Sequence, residues 1–274
     1  MAWRGMAGQG GAWQGREQGQ AWRGLAGRGK AWPGTWQGIA LVVKIKNHGG
    51  STMKPKTYAV ELIGETPLLM HHDNLSWAET MKFWEKDPAN KAGSVKGDDR
   101  SPAWRWIGNL YVEAGRIVIP SDNLMTVLRE GGKRCPTGKG QTTFKSQTQS
   151  GLVVDQSSWA LSVNGGAEIP YAPIKALIEE PEFPLHEIQV QDLGFNLFVK
   201  RAKIGQAKHV RVRPRFDQWS CKGTITVFDA MISRDVLANI LTFAGTYAGM
   251  GDWRPSSPKS PGPWGKFTAK IKEV

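Results

Sequence analysis

The sequence predicts an α+β domain: an antiparallel sheet carrying its helices on one face, with long loops inserted. Three observations predict it. Two-residue alternation stands at both ends of the body, in TYAVELIG at 57–64 and in CKGTITV and KFTAKIKEV at 221–227 and 266–274. Two segments with apolar residues three and four apart, at 121–131 and 233–248, each follow a strand-like stretch. The polar, Gly- and Pro-rich stretches between them are too long for tight turns. The body runs over 51–274 as a single domain with insertions at about 74–115 and 133–150, behind a low-complexity tail and linker at 1–50.

In chain order, residues 57–70 set Tyr58, Val60 and Leu62 against Ala59, Glu61 and Ile63, then turn at Gly64 and Pro67, which makes them the first core strand. NLSWAETMKFWEK at 74–86 predicts a short amphipathic helix capped by Ser76, with Trp77, Met81 and Trp84 on one face. KDPANKAGSVKGDDRSP at 86–102 reads as an exposed loop. RIVIPSDNLMTVLREGGK at 116–133 gives a strand, Ser121 as N-cap, Asp122 in the first turn and a helix with Leu124, Val127 and Leu128 inward, ended by Gly131 and Gly132. The polar stretch that follows carries Lys133, Arg134, Lys139 and Lys145 and is read as a functional or mobile loop.

Two or three strands are expected between 188 and 228. In one of them, HVRVRPRF at 209–216, alternation puts Arg211, Arg213 and Arg215 on one face, and Pro214 assigns the ribbon to a sheet edge or a projecting hairpin. Ser233 caps a helix with an apolar stripe of Val236, Leu237, Ile240, Leu241 and Ala244. The last strand turns Phe267, Ala269 and Ile271 inward. This βαβ…βαβ order is that of a ferredoxin-like or RRM-like sheet.

The 274 residues carry a net charge of +12, which makes a polyanion the expected partner, nucleic acid before an anionic membrane. Two cysteines, Cys135 and Cys221, stand far apart with no metal-like spacing, so neither a disulfide framework nor a thiolate zinc site is expected. There is no apolar run of membrane-spanning length and no secretory pattern, so the expected location is cytoplasmic. Within 1–38, Trp3, Trp13, Trp22 and Trp32 recur beside Arg4, Arg16, Arg23 and Arg28. The segment is either a disordered tail that stacks on single strands or a translated DNA repeat ahead of the true start. Without it the surplus is still +8, so the basic character belongs to the body.

GMGDWRPSSPKSPGPWGKF at 249–267 lies between the last helix and the last strand, with Gly249, Gly251, Gly262, Gly265, Lys266 and Phe267 in a pattern that resembles the glycine-rich loop of the RAMP superfamily of CRISPR-associated proteins. IPSDNLMTVLREGGK is similar to the helix start of RAMP backbone subunits, at Pro120, Ser121, Leu124 and Arg129, and TYAVELIGETPLLM to the family's first strand. The three blocks cover about a quarter of the chain, and the proline-rich GDWRPSSPKSPGP departs from the family's compact Gly-Arg run. The resemblance implies a non-enzymatic subunit that lines up with its own copies, and with other subunits, along guide RNA. It extends to a phage-borne or mobile-element relative.

The residue chemistry agrees with a single-strand binder that needs no cofactor, and the preference for RNA over DNA is what the resemblance implies. Glycine N–H groups at Gly249 and Gly251 can approach phosphates, Arg254 and Lys266 add charge, and Trp253 offers a flat face to a base. Between 200 and 215 stand eight Lys, Arg or His residues and no acid. Lys208, Arg211, Arg213 and Arg215, with Trp219 beyond them, make a second contact segment, and Lys133, Arg134, Lys139 and Lys145 make a third by clamping a backbone. The interpretation requires all three segments to converge on one track. Two rivals remain: a phage structural or assembly protein whose loops mediate subunit contacts, and a metal-dependent nuclease using His71, His72 and Asp73. GKRCPTGKG is not a phosphate-binding P-loop, because its glycines are misspaced and Gly140 stands where Ser or Thr must reach Mg²⁺.

Overall fold

The computed structural model describes residues 54–91, 93–204 and 207–274. The tail with its periodic tryptophans lies outside the described residues. Residues Ser51–Val274 form one compact unit of mixed helix and antiparallel sheet.

The main sheet is built on β1 (Lys56–Gly64), which pairs antiparallel with β10 (Trp219–Val227) on one side and β11 (Phe267–Glu273) on the other. Beyond β10 come β6 (Ser158–Val163), β4 (Arg116–Pro120) and β3 (Val112–Glu113), so the order is β11-β1-β10-β6-β4-β3. β5 (Leu152–Val154) also pairs with β10, and β7 (Ala167–Glu168) with β6. In β1 the expected alternation holds: Tyr58, Val60 and Leu62 are buried, whereas Ala59, Glu61 and Ile63 are half-buried.

The buried face is covered by α2 (Ser121–Arg134) and α6 (Arg234–Phe243), which pack on each other and on the sheet. Leu124, Val127 and Leu128 of α2 and Leu237, Ile240 and Leu241 of α6 are inward. Ser233 caps α6 as expected, its hydroxyl accepting from Val236 N–H. Ser121, by contrast, is the first residue of α2, after Pro120, and makes no capping bond. Gly131 and Gly132 do not end α2 but sit inside it. A methyl group on Gly131 would overlap the Ile240 carbonyl, and one on Gly132 would overlap the Thr148 side chain. Here glycine permits close helix packing, an outcome that sequence punctuation alone does not distinguish from a stop.

Three inserted stretches also differ from expectation. α1 (Leu75–Lys86) is capped by Asn74, which accepts from Trp77 N–H, rather than by Ser76. The stretch after α2 is ordered: Cys135 and Phe144 are buried, Pro136 bridges Thr143, and α3 (Lys145–Ser150) follows. Its apolar anchors outweigh its polar composition. The loop after α1 is exposed for most of its length but buries Asp99.

A short α4 (Tyr171–Ala176) and α5 (Phe183–Asp192) lead to the second sheet, so residues 188–192 are helix and the strands begin only at Asn196. That sheet is the long hairpin of β8 (Asn196–Ile204) and β9 (Ala207–Phe216), joined at its base by β2 (Leu68–Leu69). Pro214 lies opposite Leu197 in this hairpin, and its carbonyl accepts from Met70 N–H. Two residues of β2 pair with β9 and the loop at 97–99 bonds along the same edge at Val210 and Val212, so the hairpin stands as a two-stranded ribbon beyond Val210.

Candidate nucleic-acid interface

In the ribbon, paired residues share a face, so Asn196, Phe198 and Lys200 of β8 stand with Arg215, Arg213 and Arg211 of β9. Against this face packs the glycine-rich segment after the π-helical turn Ala244–Ala248. Trp253 meets Phe198 edge-on at 5.8 Å between ring centroids, and Trp264 meets it at 5.0 Å. Lys200 Nζ lies 4.8 Å from the Trp253 ring centre and the Arg215 guanidinium 5.6 Å from that of Trp264, both cation–π distances. The two tryptophans stay half-buried.

The three arginines are not open charges. Arg211 donates to Asp99 at 2.8 Å, Arg213 to Asp99 at 3.4 Å and to Asp252 at 3.0 Å, and Arg215 to Asp217 at 2.7 Å. Arg105 closes on Asp99 from the other side at 3.5 Å. Arg213 is itself buried, so its charge holds the ribbon to the loops at 99 and 252 instead of waiting for a phosphate. The exposed cations of the ribbon are Lys200, Arg201, Lys203 and Lys208, none of which has an acidic partner among the described residues.

The glycines also work differently from a phosphate cradle. Met250 N–H donates to Gly265 O, Asp252 N–H to Leu69 O and Gly265 N–H to Pro67 O, while Gly249 N–H is used by Ala244 O. Gly251 and Gly265 have φ of +81° and +71°, where a side chain would also overlap Leu69 O and Met250 O. The loop is therefore a clamp on the turn at 64–70, with Trp253 and Trp264 docked half-buried on Phe198 and Arg254 bonded back to Gly251 O. Lys266 joins this clamp, its N–H donating to Thr66 Oγ1. Trp219 belongs to the core, 3% exposed, with its indole N–H on Thr66 O and its ring over Gly64.

The third expected segment does not join the first two. Lys133 pairs with Glu130, and Arg134 stacks at 5.6 Å over Tyr247. Lys139 and Lys145 are exposed beyond the C-terminal end of α2, a helix roughly 21 Å long. It is the opposite end of α2, at Asn123 and Thr126, that lines a cavity together with Arg254. Lys139 thus falls off the track on which Arg213 and Arg254 both adjoin Asp252.

No protein-family model matches the chain, and no curated protein matches it significantly.

The turn after β2 brings His71, His72 and Asp73 to this same place. His71 lies 3.6 Å from Asp252 and lines two cavities, one of 220 Å³ with Tyr111, Asn123, Thr126, Asp252 and Arg254, the other of 470 Å³ with Asp99, Arg105, Arg211 and Arg213. Burial first, then the Arg213 guanidinium, push the His71 imidazole below its ordinary value, while Asp252 pulls the other way. His72 stacks on Tyr111 at 4.4 Å. Among the described residues no three His, Cys, Asp or Glu side chains come together as a metal site would need. Sequence reasoning missed Asp99, Arg105, Asp252, Tyr111, Asn123 and Phe198. Of these, only Asp252 carried a signal, standing inside the glycine-rich stretch. No helix among the described residues is long and apolar enough to cross a membrane.

Proposed function

We propose that this protein binds single-stranded nucleic acid, RNA in preference to DNA, as a repeating subunit along the strand in a CRISPR-type or phage-encoded ribonucleoprotein. The observation that carries the reading is the docking of the Trp253–Trp264 segment on the Phe198 face of the ribbon. It supplies half-buried aromatic rings beside the exposed Lys200, and Arg201, Lys203 and Lys208 carry the acid-free charge onto the opposite face of the same hairpin, aromatic and cationic groups together being what holds single strands irrespective of sequence. Phosphates are met by Lys200, Arg201, Lys203 and Lys208. Arg211, Arg213 and Arg215 hold the surface in shape. The stretch at 133–145 lies outside it, so the proposal rests on the ribbon and the glycine-rich segment and not on the convergence of all three segments that the sequence reading required.

The sheet supports the RAMP-like reading as well. With β1, β6, β10 and β11 taken as the four principal strands and α2 and α6 as the two crossovers, the order β11-β1-β10-β6 supports reading the sheet as a split β-α-β, ferredoxin-like arrangement. The test is filter binding of the nuclease-treated protein to a single strand over a salt series. Engagement of phosphates by these four cations, at roughly 0.7 per contact on a single strand, makes affinity fall by about fiftyfold over a fourfold rise in salt, and a flat response rejects the proposal. Sequencing any co-purifying strand separates a uniform guide from random transcripts, and gel filtration before and after nuclease treatment separates strand-dependent assembly from a pure assembly protein.

A further inference from the structure

We infer that the 220 Å³ cavity between α2 and the glycine-rich segment takes a single unstacked nucleobase and makes strand binding base-selective, an inference that rests on the nucleic-acid reading above. The cavity has the two properties a base requires. Its walls include the Tyr111 ring, Val127 and Met250, and its polar side chains converge from separate segments of the chain: His71, Asn123, Thr126, Asp252 and Arg254.

Those groups are held in place by partners of their own. Tyr111 donates its hydroxyl hydrogen to His71 O, Arg254 donates to Gly251 O and Ser256 Oγ, and Asp252 accepts from Arg213. The Asn123 amide, in contrast, makes no hydrogen bond to any other described residue and lines the cavity with a donor and an acceptor side by side. An amide in that state matches the paired donor and acceptor on a base edge.

The charge in the cavity argues against a phosphate. Arg254 is opposed by the Asp252 carboxylate, and His71, with its proton affinity lowered, is neutral near pH 7. A neutral heterocycle with a polar edge suits such a mixed lining, whereas a phosphate meets the Asp252 carboxylate at the wall. Asp252 joins the cavity to Arg213, so a base held here belongs to a strand that passes the ribbon.

The experiment measures affinities of the full chain for labelled 12-mers of oligo-A, oligo-C and oligo-U, each over a salt series, for wild type, Asn123→Ala and the cavity-filling Thr126→Met. Wild type is expected to separate the best from the worst homopolymer by about tenfold or more. Both variants are expected to bring them within about twofold, with the salt slope unchanged because phosphate contacts remain. Equal binding of all three homopolymers by wild type overturns the inference while leaving the strand-binding reading intact. A preference that survives both substitutions overturns it too, as does an equal loss of affinity for every homopolymer in either variant. Failure of wild type to bind any strand overturns the strand-binding reading itself, and this inference with it.

Discussion

Burying a carboxylate at 5% exposure is costly unless its partners offset the loss of water, and Asp99 has three guanidinium partners, from Arg105, Arg211 and Arg213, together with Val212 N–H. Removing it leaves Arg213 buried with half its pairing, so Asp99→Ala is expected to cost about 3–5 kcal/mol in a urea titration. Asp217→Ala, which breaks the exposed pair with Arg215 and the exposed hydrogen bond from Asn196, is expected to cost about 1 kcal/mol. His71 gives a pH signature. Its folded pKa is depressed, so the unfolded chain binds the proton more readily, and the stability due to the neutral imidazole is present above the unfolded value of 6.5 and lost as pH falls below it. Thermal melts from pH 7.5 to 5 should fall more steeply for wild type than for His71→Gln. An equal slope in both rejects the assignment.

At the scale of elements, the glycines of α2 provide the sharpest test of what packing adds to propensity. In a solvent-facing helix, Gly→Ala is stabilising by about 1 kcal/mol. At Gly131 and Gly132 the added methyl groups meet the Ile240 carbonyl and the Thr148 side chain, so Ala at either position is expected to destabilise by about 1–3 kcal/mol in thermal denaturation. Strand and helix periodicity was readable wherever one face is buried and the other wet, as in Tyr58-Val60-Leu62, in the Leu237-Ile240-Leu241 stripe and in the Ser233 cap. It was not readable where a glycine serves a neighbouring helix, or where Cys135 and Phe144 tether a stretch whose composition is polar. The site divides in the same way. Alternation put Arg211, Arg213 and Arg215 on one face, but nothing in HVRVRPRF reveals that Asp99, over a hundred positions away, would neutralise two of them.

At the scale of the whole molecule, charge placement decides which cations serve a strand. Replacing Lys200, Arg201, Lys203 and Lys208 with Ala is expected to reduce the salt slope of single-strand binding by about 3, at roughly 0.7 per phosphate contact. Replacing Lys139 and Lys145 is expected to leave that slope within about 0.5 of wild type, because they stand beyond the far end of α2. The reverse result in the two binding series would relocate the interface to the α2–α3 side.

The sequence by itself determined the quantities that are local or summed: the surplus of positive charge, the alternation of β1, β10 and β11, the two amphipathic helices, and the one-sided arginine face. Tertiary structure alone decided which charges are spent. Carboxylates from the loops at 99 and 252 close on the ribbon, the Asp252 and Gly265 amides bond to the turn at 64–70, and Trp219 goes into the core. The physical reason is that pairing and burial depend on distances in space between segments far apart in the chain, and no period or composition within either segment carries that information.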